Sequence, residues 1–155
     1  MIRDQLADAL AWREAHATLD DAVAGLAPDL RGERPAGFPH SPWELLEHLR
    51  LAQHDILEFC RNPAYRAPSW PDDYWPAKAT PPRADAWDES IRAYQRDRDG
   101  LKALVRDPAI TLEALIPHGD GQTYLREILL ALDHAAYHVG QLVAVRRALD
   151  AWDGR

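Results

Sequence analysis

The chain has 155 residues, with 18 Lys and Arg against 25 Asp and Glu, and a formal net charge of −7. That length suits one domain able to bury a substantial core, and a single cysteine leaves no internal disulfide framework. The acidic balance, with no basic run interleaved with aromatics, argues against nucleic acid as a partner. No stretch approaches about 18 uninterrupted apolar residues, so no membrane span is expected. The opening Met1-Ile2-Arg3-Asp4-Gln5-Leu6 carries charge where a signal peptide needs an apolar core. A cytoplasmic protein is the expectation.

Four stretches read as helices, and no alternating β-branched pattern competes with them. The first runs from Ile2 to about Leu26, rich in Ala, Leu and Asp, and stops near Gly25 and Pro28. The second opens at Ser41-Pro42-Trp43-Glu44, where a Ser cap, a proline in the first turn and a Glu able to return a hydrogen bond form a start signal. It ends at Asn62-Pro63, because the residue before proline avoids the α region. The third covers about Ala84 to Arg106. The fourth starts at the cap Thr123 and runs to about Asp150, with Arg146 and Arg147 read as solvated at its negative end. An all-α, up-and-down four-helix bundle in a single domain over residues 1–155 is expected.

Two connections are unusual. Residues 63–83 hold six prolines together with Tyr65, Trp70, Tyr74 and Trp75. A loop that long is functional or disordered, and its aromatics favour burial, as a belt across the helices or as a lid or pocket wall. The connection from Asp107 to Gln122 carries Gly119 and Gly121, which permit positive φ.

Seven histidines occur, at positions 16, 40, 48, 54, 118, 134 and 138. His134 and His138 lie one turn apart, about 40° around the helix, a spacing that lets two imidazoles share one cation. The fourth helix is apolar on both flanks, along Ile128, Leu132 and Val139 and along Ala131 and Val145. That pattern implies burial on both sides and histidines that need partners for both nitrogens. On the second helix His48 lies at the edge of the inward stripe of Leu45, Leu49, Ala52, Ile56 and Phe59, whereas His54 falls on the far side. A single site built from His48, His134 and His138 best explains these placements.

The segment His40-Ser41-Pro42-Trp43-Glu44-Leu45-Leu46-Glu47-His48 resembles the second helix of the DinB/YfiT-like family. Asp133-His134-Ala135-Ala136-Tyr137-His138-Val139-Gly140-Gln141-Leu142 resembles that family's fourth-helix signature, and Pro117-His118-Gly119-Asp120-Gly121-Gln122-Thr123 its lead-in. The resemblance implies a four-helix bundle, commonly a homodimer, holding one divalent metal on His48, His134 and His138. It also implies thiol-dependent transferase or isomerase chemistry on a small-molecule substrate, with a low-molecular-weight thiol as cofactor.

Three neutral nitrogens with a free fourth position describe a catalytic centre, and imidazoles suit Zn²⁺, Ni²⁺ or Fe²⁺. Such a metal makes a nucleophile of a bound thiol or water near neutral pH, so a metal-dependent transferase or hydrolase is the expectation. Candidates for supporting or substrate-pocket roles are Gln141, one turn beyond His138, and Asp55, two turns beyond His48, together with His16, His118 and Arg13. Cys60 reads as a buried, inert thiol. A metal that only locks the second helix to the fourth, without turnover, is the competing reading.

Overall fold

The computed structural model describes residues 1–153, and among them no strand forms. Helix α1 spans Ile2–Ala9, α2 Leu19–Val23, α3 Pro42–Arg61, α4 Ala86–Arg106 and α5 Tyr124–Ala148. The all-α bundle is as expected, with α3, α4 and α5 at nearly the boundaries read from the sequence.

The start of α3 shows why those boundaries were legible. Ser41 Oγ accepts from the Glu44 amide at 3.2 Å while Glu44 Oε2 accepts from the Ser41 amide at 2.8 Å. The two orphan donors of the first turn are thus satisfied reciprocally. Glu44 also holds the Arg34 guanidinium through both carboxylate oxygens, with Arg34 Nε donating at 2.8 Å.

The first helix departs from expectation. In place of one helix from Ile2 to Leu26 there are two short ones, separated by residues 10–18. The cause is a second capping box: Thr18 Oγ1 accepts from the Asp21 amide, and Asp21 Oδ2 accepts from the Thr18 amide at 3.0 Å. A cap of this kind starts a helix afresh and holds Thr18 at extended backbone angles, so α1 does not run through it. Both pieces are tied down from elsewhere. Arg3 donates to the carbonyls of Val105, in the last turn of α4, and of Asp107 and Ile110 just beyond it. Arg146, read from the sequence as solvated, is buried, and its Nη1 donates to the Ala22 and Ala24 carbonyls at 2.8 Å each. A five-residue helix leaves carbonyls unpaired, and an arginine from α5 satisfies them.

Helix α3 is the central member, packed against both α4 and α5, while α1 lies on α4 and α2 on α5. The pairing of side chains fixes the directions. Ser90 donates to Glu47 at 2.7 Å, Gln53 donates to the Tyr94 carbonyl at 2.7 Å, and His54 meets Asp97 at 3.0 Å. Numbers rise together on both helices, so α3 and α4 run parallel instead of alternating. Against α5 they run oppositely, since His48 meets His138 and Phe59 meets His118. The proline-rich segment makes the parallel pair possible. It leaves α3 at Asn62, passes back along the helix with the Tyr74 carbonyl beside His48, and reaches Ser41, whose Oγ donates to the Ala79 carbonyl at 2.6 Å. A 20-residue helix is about 30 Å long, which a short loop cannot retrace.

The parallel helices approach closely at Gly100, where an added Cβ would lie 2.7 Å from Leu57 Cδ2, itself fully buried. Gly100→Val should therefore overpack this seam and lower the unfolding free energy by about 1–3 kcal/mol. Urea unfolding reads this as a lower midpoint at unchanged slope; an unchanged midpoint would mean that the seam yields freely.

Candidate metal centre

The seam between α3 and α5 carries His48 on one side and His134 and His138 on the other. Antiparallel packing sets His48 opposite the turn between the two. His48 Nε2 lies 3.1 Å from His138 Nε2 and 3.0 Å from His134 Nε2. One ligating nitrogen from each ring lies within 4.8 Å of the other two. His48 and His138 are buried and His134 half-buried. Three imidazoles that stand 86 and 90 residues apart in sequence thus form one cluster.

The outer nitrogens fix how the rings present themselves. His48 Nδ1 lies 2.8 Å from the Tyr74 carbonyl oxygen, and His138 Nδ1 lies 2.6 Å from Gln141 Oε1. Both partners are acceptors, so each Nδ1 carries the proton and donates it. The Nε2 atoms that face the centre therefore carry lone pairs. Burial also keeps the rings uncharged: it pushes His48 and His134 down to about 4 from the ordinary 6.5, and lowers His138 too. Two lone pairs opposed at 3.1 Å repel unless something positive lies among them. The donor set fits a divalent cation, since metal-bound imidazoles are held in just this way by a hydrogen bond from the second nitrogen.

Aromatic rings wall the cluster. Trp75 lies flat on His48, centroids 3.9 Å apart and planes within 2°, and His40 stacks on the other face of Trp75 at 4.1 Å. Tyr137 meets His138 edge-on at 4.9 Å and is itself 64% exposed. The sequence left the proline-rich segment as either a belt or a pocket wall. Its middle, Tyr74-Trp75, is a belt packed on His48. Neither the Tyr74 carbonyl nor the Trp75 and His40 stack was identified beforehand. The only signal was the aromatic content of a proline-rich loop, which says that something is covered but not what.

Of the other candidates, Gln141 is placed at the cluster, accepting from His138. Asp55 meets the returning segment and not the imidazoles. The Tyr65 and Tyr74 hydroxyls lie beside it, and burial together with its charge pushes the Tyr65 phenol up to about 12 and raises Tyr74 as well. His118 lies elsewhere: its Nε2 donates to the Phe59 carbonyl at 2.6 Å, eleven residues and about 16 Å along α3 from His48. Arg13 is exposed and pairs with Asp21 at 2.5 Å. His16 is exposed and lines a cavity of about 410 Å³ with Leu10, Trp12, Ala135 and Val139, a cavity that none of the three cluster histidines lines. His54 pairs with Asp97, away from the cluster. The Cys60 thiol is buried and pushed up to about 12 by desolvation, as an inert thiol requires.

The fold and this histidine arrangement meet in one comparison: a family model described as the DinB superfamily matches residues 11–142. The chain belongs to the DinB superfamily. No curated protein and no solved structure shows a significant match. The match begins inside the α1–α2 connection and ends just beyond Gln141, so it takes in the three imidazoles and the whole returning segment.

Two outcomes follow for this DinB-superfamily protein. Gln141→Ala should weaken divalent-metal binding about 10–100-fold, the usual cost of losing an outer hydrogen-bond partner, as read by competition with a chelating dye. In the metal-free chain His48 and His134 bind protons only near pH 4, whereas the unfolded chain binds them from 6.5 down. Their contribution to stability is thus fully present above pH 6.5 and is lost as pH falls from there towards 4. Thermal melts in chelator across that window should show a falling Tm that flattens in His48→Gln; equal slopes in the two proteins would show that the rings are not held neutral.

Proposed function

We propose that the protein is a divalent-metal-dependent enzyme acting on a small molecule, with His48, His134 and His138 as the metal ligands and a low-molecular-weight thiol or water as the activated nucleophile. The observation that carries this reading is the pair of opposed Nε2 lone pairs on rings whose Nδ1 protons are already committed. Membership of the DinB superfamily supports it. When bound, a cation at this cluster would supply Lewis acidity and lower the pKa of a coordinated thiol or water towards neutrality.

The chain's own residues do the rest. The Tyr74 carbonyl and Gln141 hold His48 and His138 in the tautomer that points Nε2 inward. Trp75 covers one face of His48 and excludes water there. Among the described residues the cluster gathers three His, Cys, Asp or Glu ligands and no fourth, which favours a centre with a free position over a closed structural site. Zinc, nickel and iron(II) all suit the imidazole set. The charge of −7 fits a partner other than nucleic acid, and the cytoplasm is where we place the protein.

Metal titration of the chelator-stripped protein tests the reading. One equivalent of Zn²⁺ or Co²⁺ is expected to bind, and His48→Ala should lose more affinity than the roughly 10–100-fold that an outer-partner loss costs. A visible Co²⁺ spectrum that changes on adding a small thiol would mark a free coordination position. Full retention of affinity in His48→Ala would refute the ligand set. A spectrum indifferent to thiols and to other small anions would favour the alternative, a metal that only ties α3 to α5.

A further inference from the structure

The chain between α1 and α2 lines a cavity. Every residue from Leu10 to Thr18 except Arg13 contributes to the space of about 410 Å³ beside His16. Its walls are largely apolar: Leu10, Trp12 and Leu19 come from the N-terminal side, and Leu132, Ala135 and Val139 from α5. Ala135 and Val139 each follow a cluster histidine by one residue, about 100° around the helix. The cavity and the imidazoles therefore occupy different sides of α5. A space of this size lies in the range of small-molecule sites, which are mostly apolar with a few fixed polar groups.

One charged group is built into these walls. Arg98 of α4 lines the cavity with its side chain only 11% exposed. Its Nη1 donates to Asp20 at 2.7 Å, which balances its charge, while its Nε is buried with no hydrogen-bond partner among the described residues. A guanidinium carries five N–H donors, and a buried one left unpaired is costly. This wall thus has donor capacity unspent beside an apolar space. Gln53, also buried on the lining, commits its amide to the Tyr94 carbonyl at 2.7 Å. The carboxylates on the lining, Glu14 and Asp133, are exposed. They repel an anion, and Arg98 repels a cation that would lie inside.

We infer that this cavity is a binding site for a small, uncharged, mainly hydrocarbon molecule that carries one hydrogen-bond acceptor, an aryl ketone being the type. Its hydrocarbon part packs on Leu10, Leu19, Leu132 and Val139, and its acceptor takes a proton donor from the Arg98 guanidinium. Alanines at 11, 15, 135 and 136 leave the room, and Trp12, 58% exposed, supplies an aromatic surface. The site is separate from the proposed metal centre and needs no metal.

Calorimetric titration of the full chain with 2-acetylnaphthalene, in chelator and again with Zn²⁺, is the test. Saturable one-to-one binding is expected in both conditions and in His48→Ala. The isosteric hydrocarbon 2-isopropylnaphthalene should bind at least about 10-fold more weakly, the worth of a hydrogen bond to a charged donor. The anion 2-naphthoate and the cation 1-(2-naphthyl)ethylammonium should also bind more weakly than the ketone. Arg98→Met should bring ketone and hydrocarbon to near parity, which a merely structural role for the arginine would not do. Ala11→Trp and Ala136→Trp, from two different walls, should each abolish binding with an unchanged helical circular dichroism spectrum. No saturable binding by the wild-type chain, as when a side chain of a neighbouring molecule fills the space, would overturn the inference. So would a ketone held no better than the hydrocarbon, tighter binding of either charged probe, or undiminished affinity in both Trp variants. Loss in Ala136→Trp alone would place the probe on the open side of α5 and overturn it too. If a variant fails to fold, the order of the four probes on the wild-type chain decides. Ketone binding that disappears in His48→Ala would move the ligand to the histidine cluster, overturning this inference and leaving the proposed function standing. Ketone binding by a chain that takes up no metal would do the reverse.

Discussion

Burying three imidazoles against one another is the constraint on which the rest of the site depends. A ring withdrawn from water has two nitrogens to satisfy, and its charged form is penalised. His48 and His138 settle one nitrogen each on the Tyr74 carbonyl and on Gln141. That choice forces the remaining lone pairs towards a common centre, where they face one another at about hydrogen-bond distance with no proton between them. An array of this kind is costly when empty and strongly favourable around a cation. The cost is borne by the fold: the packing of α3 on α5 holds the rings together before any ion arrives, so little ordering is left to be done on binding.

The topology and the site are one device. Had α3 and α4 alternated in direction, a few residues would have joined them. Running parallel, they require a connection that retraces α3, and that connection is what brings the Tyr74 carbonyl and the Trp75 ring to His48. Asp55, lower on the same helix, lies beside the Tyr65 and Tyr74 hydroxyls of the returning segment. The Ser41 hydroxyl ties the segment's far end down through the Ala79 carbonyl, while also capping α3. Removing the crossover would leave His48 without its tautomer-fixing acceptor.

How much of this was legible depended on the range of the interaction. Ser41 and Glu44 are three residues apart, so the start of α3 could be read directly, and the one-turn spacing of His134 and His138 needed only the helical period. Thr18 and Asp21 carry the same local signal, yet it was hidden by an Ala- and Leu-rich run on both sides that reads as uninterrupted helix. What could not be read was set by contacts distant in the chain. The direction of α4 rests on pairs such as Gln53 with Tyr94. Arg146 looks like an ordinary basic residue at a helix end until the carbonyls left free by α2 are placed beside it. Trp75 is one of six tryptophans, and nothing near it in sequence names His48 as the ring it covers.

Helix α5 shows the same lesson from the other side. Its apolar residues fall on more than one face, and a helix of that kind must be covered on more than one face to be stable in water. The single chain covers the side of Ile128, Val139 and Leu142, and turns the histidines towards α3, but leaves Leu129, Tyr137 and Gly140 in solvent. A lipid environment would satisfy that residue of apolar surface and no more. It would place Asp133, His134 and His138 at the middle of a 25-residue helix, where ionisable groups are most expensive. Those same residues are cheap where α5 runs along a bundle seam, with imidazoles buried against α3 and a carboxylate at the water-facing edge. The polar positions of α5, more than its apolar ones, therefore set which side of the helix packs against α3.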